Sequence, residues 1–232
     1  GHGRHRMSLT VKICGLSTPD ALDAALEAGA DMVGFVFFEP SPRNVPLDLA
    51  AQLGKQKSGR AKKVALSVDA DDDLLARIVA TLEPDLLQLH GMESPERVSA
   101  IKARFGLPVI KALAVETKED LAQTRSYASA SNWLLFDAKG MADATRPGGL
   151  GKAFDWTLLR DAAPGAPFML SGGLDAGNLA EALRITRAFG VDVSSGVERA
   201  PGEKDPDKIR RFVRAARVAA ARLAGKPVTS ST

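Results

Sequence analysis

Cys14 is the only cysteine in the 232-residue chain, and it closes the short run "VKIC" just before Gly15. A thiolate is a base and a nucleophile, whereas an inert buried thiol is a small hydrophobe, and Cys14 admits both readings. Strand alternation puts Lys12 on the same face, and an ammonium close to a thiol favours thiolate. Asp137 closes a second apolar run, "NWLLFD", on the side opposite Phe136. A carboxyl there is either an ion-pair partner or, if partly buried, an acid with a raised pKa. His90, in "LQLHG", suits a catalytic base or a hydrogen-bonded structural histidine. Arg43, in "EPSPR", suits an anion clamp or a solvated loop position.

Glycines gather late in the chain, in "RPGGLGK" (146–152), "SGGLDAGN" (171–178) and "SSGVERAPG" (194–202). Glycine lets backbone N–H groups approach phosphate oxygens closely, and a helix N-terminus adds a favourable dipole. Ser171 and Ser195 add hydroxyls. The first of these loops is no nucleotide P-loop, because Arg146 stands where its leading glycine belongs and Ala153 replaces its Ser or Thr.

The elements that must carry these groups alternate between two periods. Strand-like runs lie at 11–14, 32–37, 63–68, 86–90, 108–115, 133–138, 167–172 and 191–196. Helix-period stretches follow at 18–29, 46–54, 71–82, 94–106, 117–128, near 155–162, at 175–190 and at 205–225. Thr18, Pro19 and Gly29 are start and stop signals for the first helix. Eight strand–helix units predict a single-domain α/β fold, the (β/α)8 TIM barrel. An open doubly wound sheet is the alternative, but it carries its Gly-rich turn after strand one, where "CGLSTPD" has one glycine. The first of the late glycine loops follows strand six, and the other two follow strands seven and eight, where such barrels bind phosphate. Catalytic groups then belong at the C-terminal strand ends, where Cys14, Arg43, Asp69, His90 and Asp137 fall.

Composition sets limits. Apolar residues make up 45% of the chain, enough for a sizeable core. One cysteine excludes an internal disulfide and a four-cysteine zinc site, and a reducing compartment is expected. Residues 1–6 read as an expression-tag remnant, 7–225 as the barrel and 226–232 as a flexible tail. Without residues 1–6 the basic residues fall from 31 to 29 against 28 acids, so the charge is nearly balanced. The basic cluster "RRFVRAARVAAARLAGK" reads as a solvated helix face rather than a nucleic-acid surface. No apolar run approaches the ~18 residues of a membrane span. A cytoplasmic protein is expected, monomer or homodimer, with a small-molecule partner and neither nucleic acid nor membrane.

These residues also resemble a known family, the phosphoribosylanthranilate isomerases of tryptophan biosynthesis. The matching stretches are "KICGL" (12–16), "GADMVGFVFFEPSPRNV" (29–45), "LQLHG" (87–91), "LLFDAKG" (134–140), "GGLGKAFDW" (148–156), "LSGGLDAGNLAEAL" (170–183) and "GVDVSSGVERAPGEKDPDKI" (190–209). The resemblance implies a (β/α)8 barrel without cofactor or metal. It implies an Amadori rearrangement of N-(5-phosphoribosyl)anthranilate, with Cys14 as general base and Asp137 as general acid. Arg43 would hold the anthranilate end, and His90 would also contact substrate. Gly172 and Gly173 of "SGGL", with Ser195 and Gly196 of "SSG", would hold the phosphate. Three positions depart from the family pattern: Leu150, Ser67 and Asp69, where Ser or Thr, an aromatic and Asn are commoner. A rival phosphosugar-barrel family, the isomerases serving both the histidine and tryptophan pathways, typically uses an aspartate at the end of strand one, and a silent binder requires neither Cys14 nor Asp137.

Overall fold

The computed structural model describes residues 8–56, 61–138, 155–160 and 164–225. The proposed tag and tail, and loop 146–152 with Leu150, lie outside the described residues. The strands are β1 Thr10–Ile13, β2 Met32–Phe37, β3 Lys62–Ser67, β4 Leu86–Leu89, β5 Val109–Ala114, β6 Trp133–Asp137, β7 Phe168–Ser171 and β8 Gly190–Val193. The helices between them are α1 Pro19–Ala28, α2 Leu47–Gly54, α3 Asp72–Leu82, α4 Pro95–Phe105, α5 Thr124–Ala130 and α6 Leu179–Thr186, and α7 Pro206–Leu223 follows β8.

The eight parallel strands form a closed barrel in sequence order. Closure is made by β1 on β8, with Thr10, Val11, Lys12 and Ile13 opposite Gly190, Val191, Asp192 and Val193. An open sheet has no such pairing, so the doubly wound alternative is excluded. Alternation sorts the side chains. Met32, Val64, Leu86, Ile110, Leu135 and Met169 fill the barrel interior. Val11, Ile13, Phe35, Leu87, Phe136, Leu170 and Val191 face the helices and join the larger outer core. Nearer the C-terminal mouth, Cys14, Val36 and Leu66 form a third, smaller cluster.

Local chemistry sets most helix limits. Thr18 Oγ1 accepts from the Ala21 amide at 3.2 Å, and Gly29 ends α1 at φ 88°. Asp71 caps α3 and Ser94 caps α4 in the same way. On α7, Ile209, Phe212, Val213, Ala216 and Ala219 are buried. Arg217 from the same helix reaches under the barrel to the Leu9 carbonyl at 2.8 Å and to Asp31 at 2.8 Å. One arginine of the basic cluster therefore ties the last helix to the first strand. No helix among the described residues is long and apolar enough to cross a membrane.

Four stretches differ from the sequence expectation. The helix expected over 117–128 begins as a 3-10 segment, Lys118–Gln123, before α5. Asp120 there draws the Glu116 and Thr117 amides at 2.8 and 3.0 Å, and Thr124 Oγ1 bonds the Leu121 carbonyl at 2.6 Å, which favours the tighter turn. Near 155–162 the described residues hold only a 3-10 turn, Trp156–Leu159. The helix expected over 175–190 starts at Leu179, because Asp175 accepts from the Gly177 and Asn178 amides in a turn of its own. After β8 there is an unanticipated hairpin, β9 Glu198–Ala200 with β10 Glu203–Lys204, turning through Gly202 at φ 80°.

Candidate active site

Cys14 is the residue just beyond β1 rather than its last member, and its amide still donates to the Val193 carbonyl at 2.9 Å. It is 4% exposed. Its neighbour in the barrel wall is Gly34, where a Cβ would lie 2.8 Å from Cys14 Sγ and 3.3 Å from Lys12 Cε. Only glycine leaves the thiol and the lysine side by side. Lys12, fully buried, donates to Asp192 Oδ1 at 2.9 Å, and Asp192 Oδ2 accepts from Ser171 Oγ at 2.9 Å. Burial would push the Lys12 pKa down, but Asp192 and Cys14 beside it outweigh that and hold it above the ordinary lysine value. Strand alternation had placed Lys12 with Cys14, and the structure makes them neighbours. Ser171, expected as a phosphate donor, gives its hydroxyl to Asp192.

A second cation cluster sits beside the thiol. Arg43 donates from Nε and Nη2 to the two oxygens of Glu198, at 2.8 and 2.5 Å. Lys204 donates to Glu198 Oε2 at 2.8 Å and to the carbonyl and hydroxyl of Ser194 at 3.0 and 3.2 Å. Hydrogen bonding to Glu198 raises the Arg43 pKa. Burial pushes Glu198 up, but Arg43 and Lys204 prevail and keep it below the usual carboxylate range. Burial lowers Lys204, with Glu198 opposing.

Asp137 stands three strands from Cys14 by the shorter path round the barrel, at the mouth end of β6. Its Oδ2 lies 3.2 Å from His90 Nε2, and the other ring nitrogen of His90 lies 3.1 Å from Gln88 Nε2. Gln88 Oε1 is buried without a partner. Reversing that amide would bury two unpaired N–H bonds in place of one carbonyl, so the orientation shown is the better one. The amide therefore donates to Nδ1, and Nε2–H of His90 donates to Asp137.

Asp69 is not turned to chemistry. In the left-handed region at φ 50°, it accepts from the Met92 amide at 3.0 Å and donates its own amide to Glu93 at 3.0 Å. Glu93 also meets Lys111 Nζ at 2.7 Å and the Gly91 amide at 2.8 Å. These bonds anchor the loop that follows His90. Ser67 is buried, with outward parity on β3 opposite Phe37.

The glycine loops after β7 and β8 meet at the mouth. Gly172 and Gly173 have φ of 88° and 71°. A Cβ on Gly196 would lie 1.9 Å from the Leu174 carbonyl, so the two loops touch through a position where no side chain fits. Ser195 opens a 3-10 turn, Ser195–Val197. Ser195 and Gly196 line an open groove of about 500 Å³ with Gly177 and the cationic Lys208 and Arg211. Sequence reasoning missed Asp192, Glu198 and Lys204. Asp192 was visible as a charged residue at inward parity in the apolar run "VDV"; Glu198 and Lys204 had only the Pro201–Gly202 turn signal between them.

A family model described as N-(5'phosphoribosyl)anthranilate (PRA) isomerase matches residues 11–215. An N-(5'-phosphoribosyl)anthranilate isomerase of Rhodopseudomonas palustris (strain BisB5) is 64% identical over 211 residues, 91% of this chain and 97% of that protein. A crystal structure of phosphoribosyl anthranilate isomerase in complex with reduced 1-(o-carboxyphenylamino)-1-deoxyribulose 5-phosphate is similar at TM-score 0.78 and 31% identity, covering 90% of this chain and 99% of that one. A structure of monomers made from the dimeric isomerase of Thermotoga maritima is similar to the same degree, TM-score 0.78 and 31% identity, covering 90% and 99%. With the closed barrel and a family match over most of its length, this chain belongs to the phosphoribosylanthranilate isomerase family.

Proposed function

We propose that this protein isomerises N-(5-phosphoribosyl)anthranilate to 1-(2-carboxyphenylamino)-1-deoxyribulose 5-phosphate in L-tryptophan biosynthesis, with Asp137 as general acid and Cys14 as general base. The observation that carries the assignment of roles is the pair of unlike settings at one mouth. The thiol lies beside buried Lys12, and the carboxyl lies on another wall beside the His90 ring.

Asp137 gives a proton to the furanose ring oxygen. The bond from that oxygen to C1 breaks, and the nitrogen lone pair forms an iminium. The Nε2–H of His90 stabilises the carboxylate left on Asp137. Cys14 as thiolate takes the proton from C2, and the C–H electrons form the C1–C2 double bond of an enolamine. The iminium electrons return to nitrogen. Protonation at C1 and loss of the enol proton give the C2 ketone. Lys12 supplies fixed positive charge next to the sulfur throughout. Acid and base contributions of this type are each ~10²–10⁴-fold.

Arg43 receives the anthranilate carboxylate, and His90 bounds the substrate on the acid side. The backbone at Gly172, Gly173 and Gly196, with the Ser195 hydroxyl, receives the phosphate. Residues 7–225 act as one barrel, with no nucleic-acid partner, as a monomer or homodimer. A cytoplasmic location fits a substrate whose phosphate keeps it from crossing a membrane unaided.

The test is a coupled assay. Anthranilate, phosphoribosyl pyrophosphate and an anthranilate phosphoribosyltransferase generate the labile substrate in place, and product is followed by fluorescence and chromatography. Product that depends on this protein and vanishes with Cys14→Ala is expected. No product from the folded wild-type protein refutes the function.

A further inference from the structure

The acid–base scheme leaves one cluster at the mouth unused. Glu198 and Lys204 have side chains only 3% and 1% exposed, whereas the Arg43 side chain they border is 22% exposed. Glu198 occupies one edge of the guanidinium, the Nε and Nη2 side. A guanidinium has a second fork, between Nη1 and Nη2, that matches another carboxylate. Nη1 has no partner among the described residues.

Lys204 Nζ is met by three acceptors, Glu198 Oε2, the Ser194 carbonyl and the Ser194 hydroxyl. Three acceptors around one nitrogen suit an ammonium with its three donors. The cluster thus holds two cations and one anion, and its surplus positive charge is presented by Arg43, its most exposed member. Gly15 fixes its place. A Cβ there would lie 2.7 Å from Arg43 Cδ, 2.9 Å from Ser194 Oγ and 3.2 Å from Lys204 Nζ. The cluster therefore packs against the residue that directly follows the thiol.

We propose that Glu198 and Lys204 are positioning residues for carboxylate recognition. Glu198 locks one edge of Arg43 so that the other edge receives the aromatic carboxylate of the substrate, and Lys204 cancels the charge of Glu198. This rests on the reading of Arg43 as the clamp on the anthranilate end. Without Glu198 the long arginine side chain would have to be ordered anew at each binding event, a cost that pre-organisation removes. Without Lys204 the Glu198 charge would neutralise Arg43 and repel the arriving carboxylate.

The experiment compares two substrates, N-(5-phosphoribosyl)anthranilate and the analogue made from aniline, which lacks the carboxylate. The readout is the ratio of their kcat/KM values in wild type, Glu198→Gln, Lys204→Met, Arg43→Ala and the double variant of Arg43→Ala with Glu198→Gln. Wild type should prefer the carboxylate substrate. That preference should fall about tenfold or more in Glu198→Gln and in Lys204→Met, mainly through KM for the carboxylate substrate. In the Arg43→Ala background, Glu198→Gln should change it no further.

Equal loss on both substrates in Glu198→Gln, or a further fall in the double variant, overturns the proposal and gives Glu198 a purely structural role. If Glu198→Gln does not fold, Glu198→Asp replaces it, since it keeps the charge but shortens the reach, and the same outcomes decide. Turnover of the anthranilate substrate by wild type without preference refutes the clamp while leaving the isomerase standing. No turnover of it at all refutes the function itself, and this proposal with it.

Discussion

The two walls of the mouth place their buried lysine–carboxylate pairs on opposite faces of the same sheet. At β1 and β8 the charges lie within the barrel, with Lys12 and Asp192 beneath the thiol, and Arg43, Glu198 and Lys204 lie next to it. At β4 and β6 the inward groups are Gln88, His90 and Asp137. The buried ion pair of that region, Lys111 with Glu93, has outward parity on β5, and Tyr127 of α5 covers it. Tyr127 bonds the Glu93 carbonyl at 2.6 Å, and the Lys111 ammonium lies 5.4 Å from the centre of its ring. The difference has a chemical sense. On the proposed roles, a cation next to the Cys14 base favours its proton-free form. In the proposed scheme one wall sets buried charge beside the base, whereas the Lys111–Glu93 pair of the other holds the loop that follows His90.

The largest effects should come from the two proposed proton-transfer groups. Cys14→Ala and Asp137→Asn should each lower kcat by ~10²–10⁴-fold, while binding of the reduced product analogue stays close to wild type by calorimetry. A variant that keeps more than about a tenth of the wild-type rate breaks the pairing of acid and base walls.

Next comes the charge under the thiol. Lys12→Met removes the cation beside the thiol and should lower kcat; it also leaves Asp192 buried with only Ser171, and should cost about 3–5 kcal/mol of stability in urea unfolding. Adding Asp192→Asn removes the stranded charge and should restore much of that stability without restoring the rate. Recovery of both would mean that Lys12 serves packing alone.

A smaller effect is expected across the barrel. His90→Phe removes the donor to Asp137 and should lower kcat by about 10–100-fold, the range for a hydrogen bond to a charged group. KM should rise too if His90 also bounds the substrate. An unchanged kcat would mean that the bond to Asp137 does nothing for catalysis.

The smallest effect is a pH slope. Burial raises the pKa of Glu93, but the hydrogen bond and charge of Lys111 outweigh it, and the carboxyl sits below its ordinary 4.5. A depressed pKa in the folded state stabilises fully above 4.5 and less as pH falls from there through the folded value. Thermal melting of wild type should therefore lose a component below pH 4.5 that Glu93→Gln lacks. Identical acid slopes for the two proteins would remove this ion pair from the account of the acid wall.

Much of this was legible in the order of residues. Thr18 marks a helix start because an N-cap needs only its own side chain and the amide three residues on. Inward parity of Lys12 with Cys14, and of Asp137 opposite to Phe136, follows from the period of two that any strand obeys. The positions of the late glycines depend only on counting strand–helix units. Helix limits were less readable at 118–123 and 175–178, where Asp120 and Asp175 compete locally for backbone amides.

The sequence by itself determined the number of units, the face each side chain takes, and the strand ends where polar groups collect. Partners were decided only by the tertiary structure. Lys12 meets Asp192 across 180 residues, and Arg43 meets Glu198 across 155. Neither pairing exists until β1 closes on β8 and the hairpin folds back over the first turn. Periodicity is a property of the local chain and survives without a fold, whereas an ion pair needs two distant segments fixed to within an ångström. Closure of the barrel supplies that, and with it the charge beside the thiol.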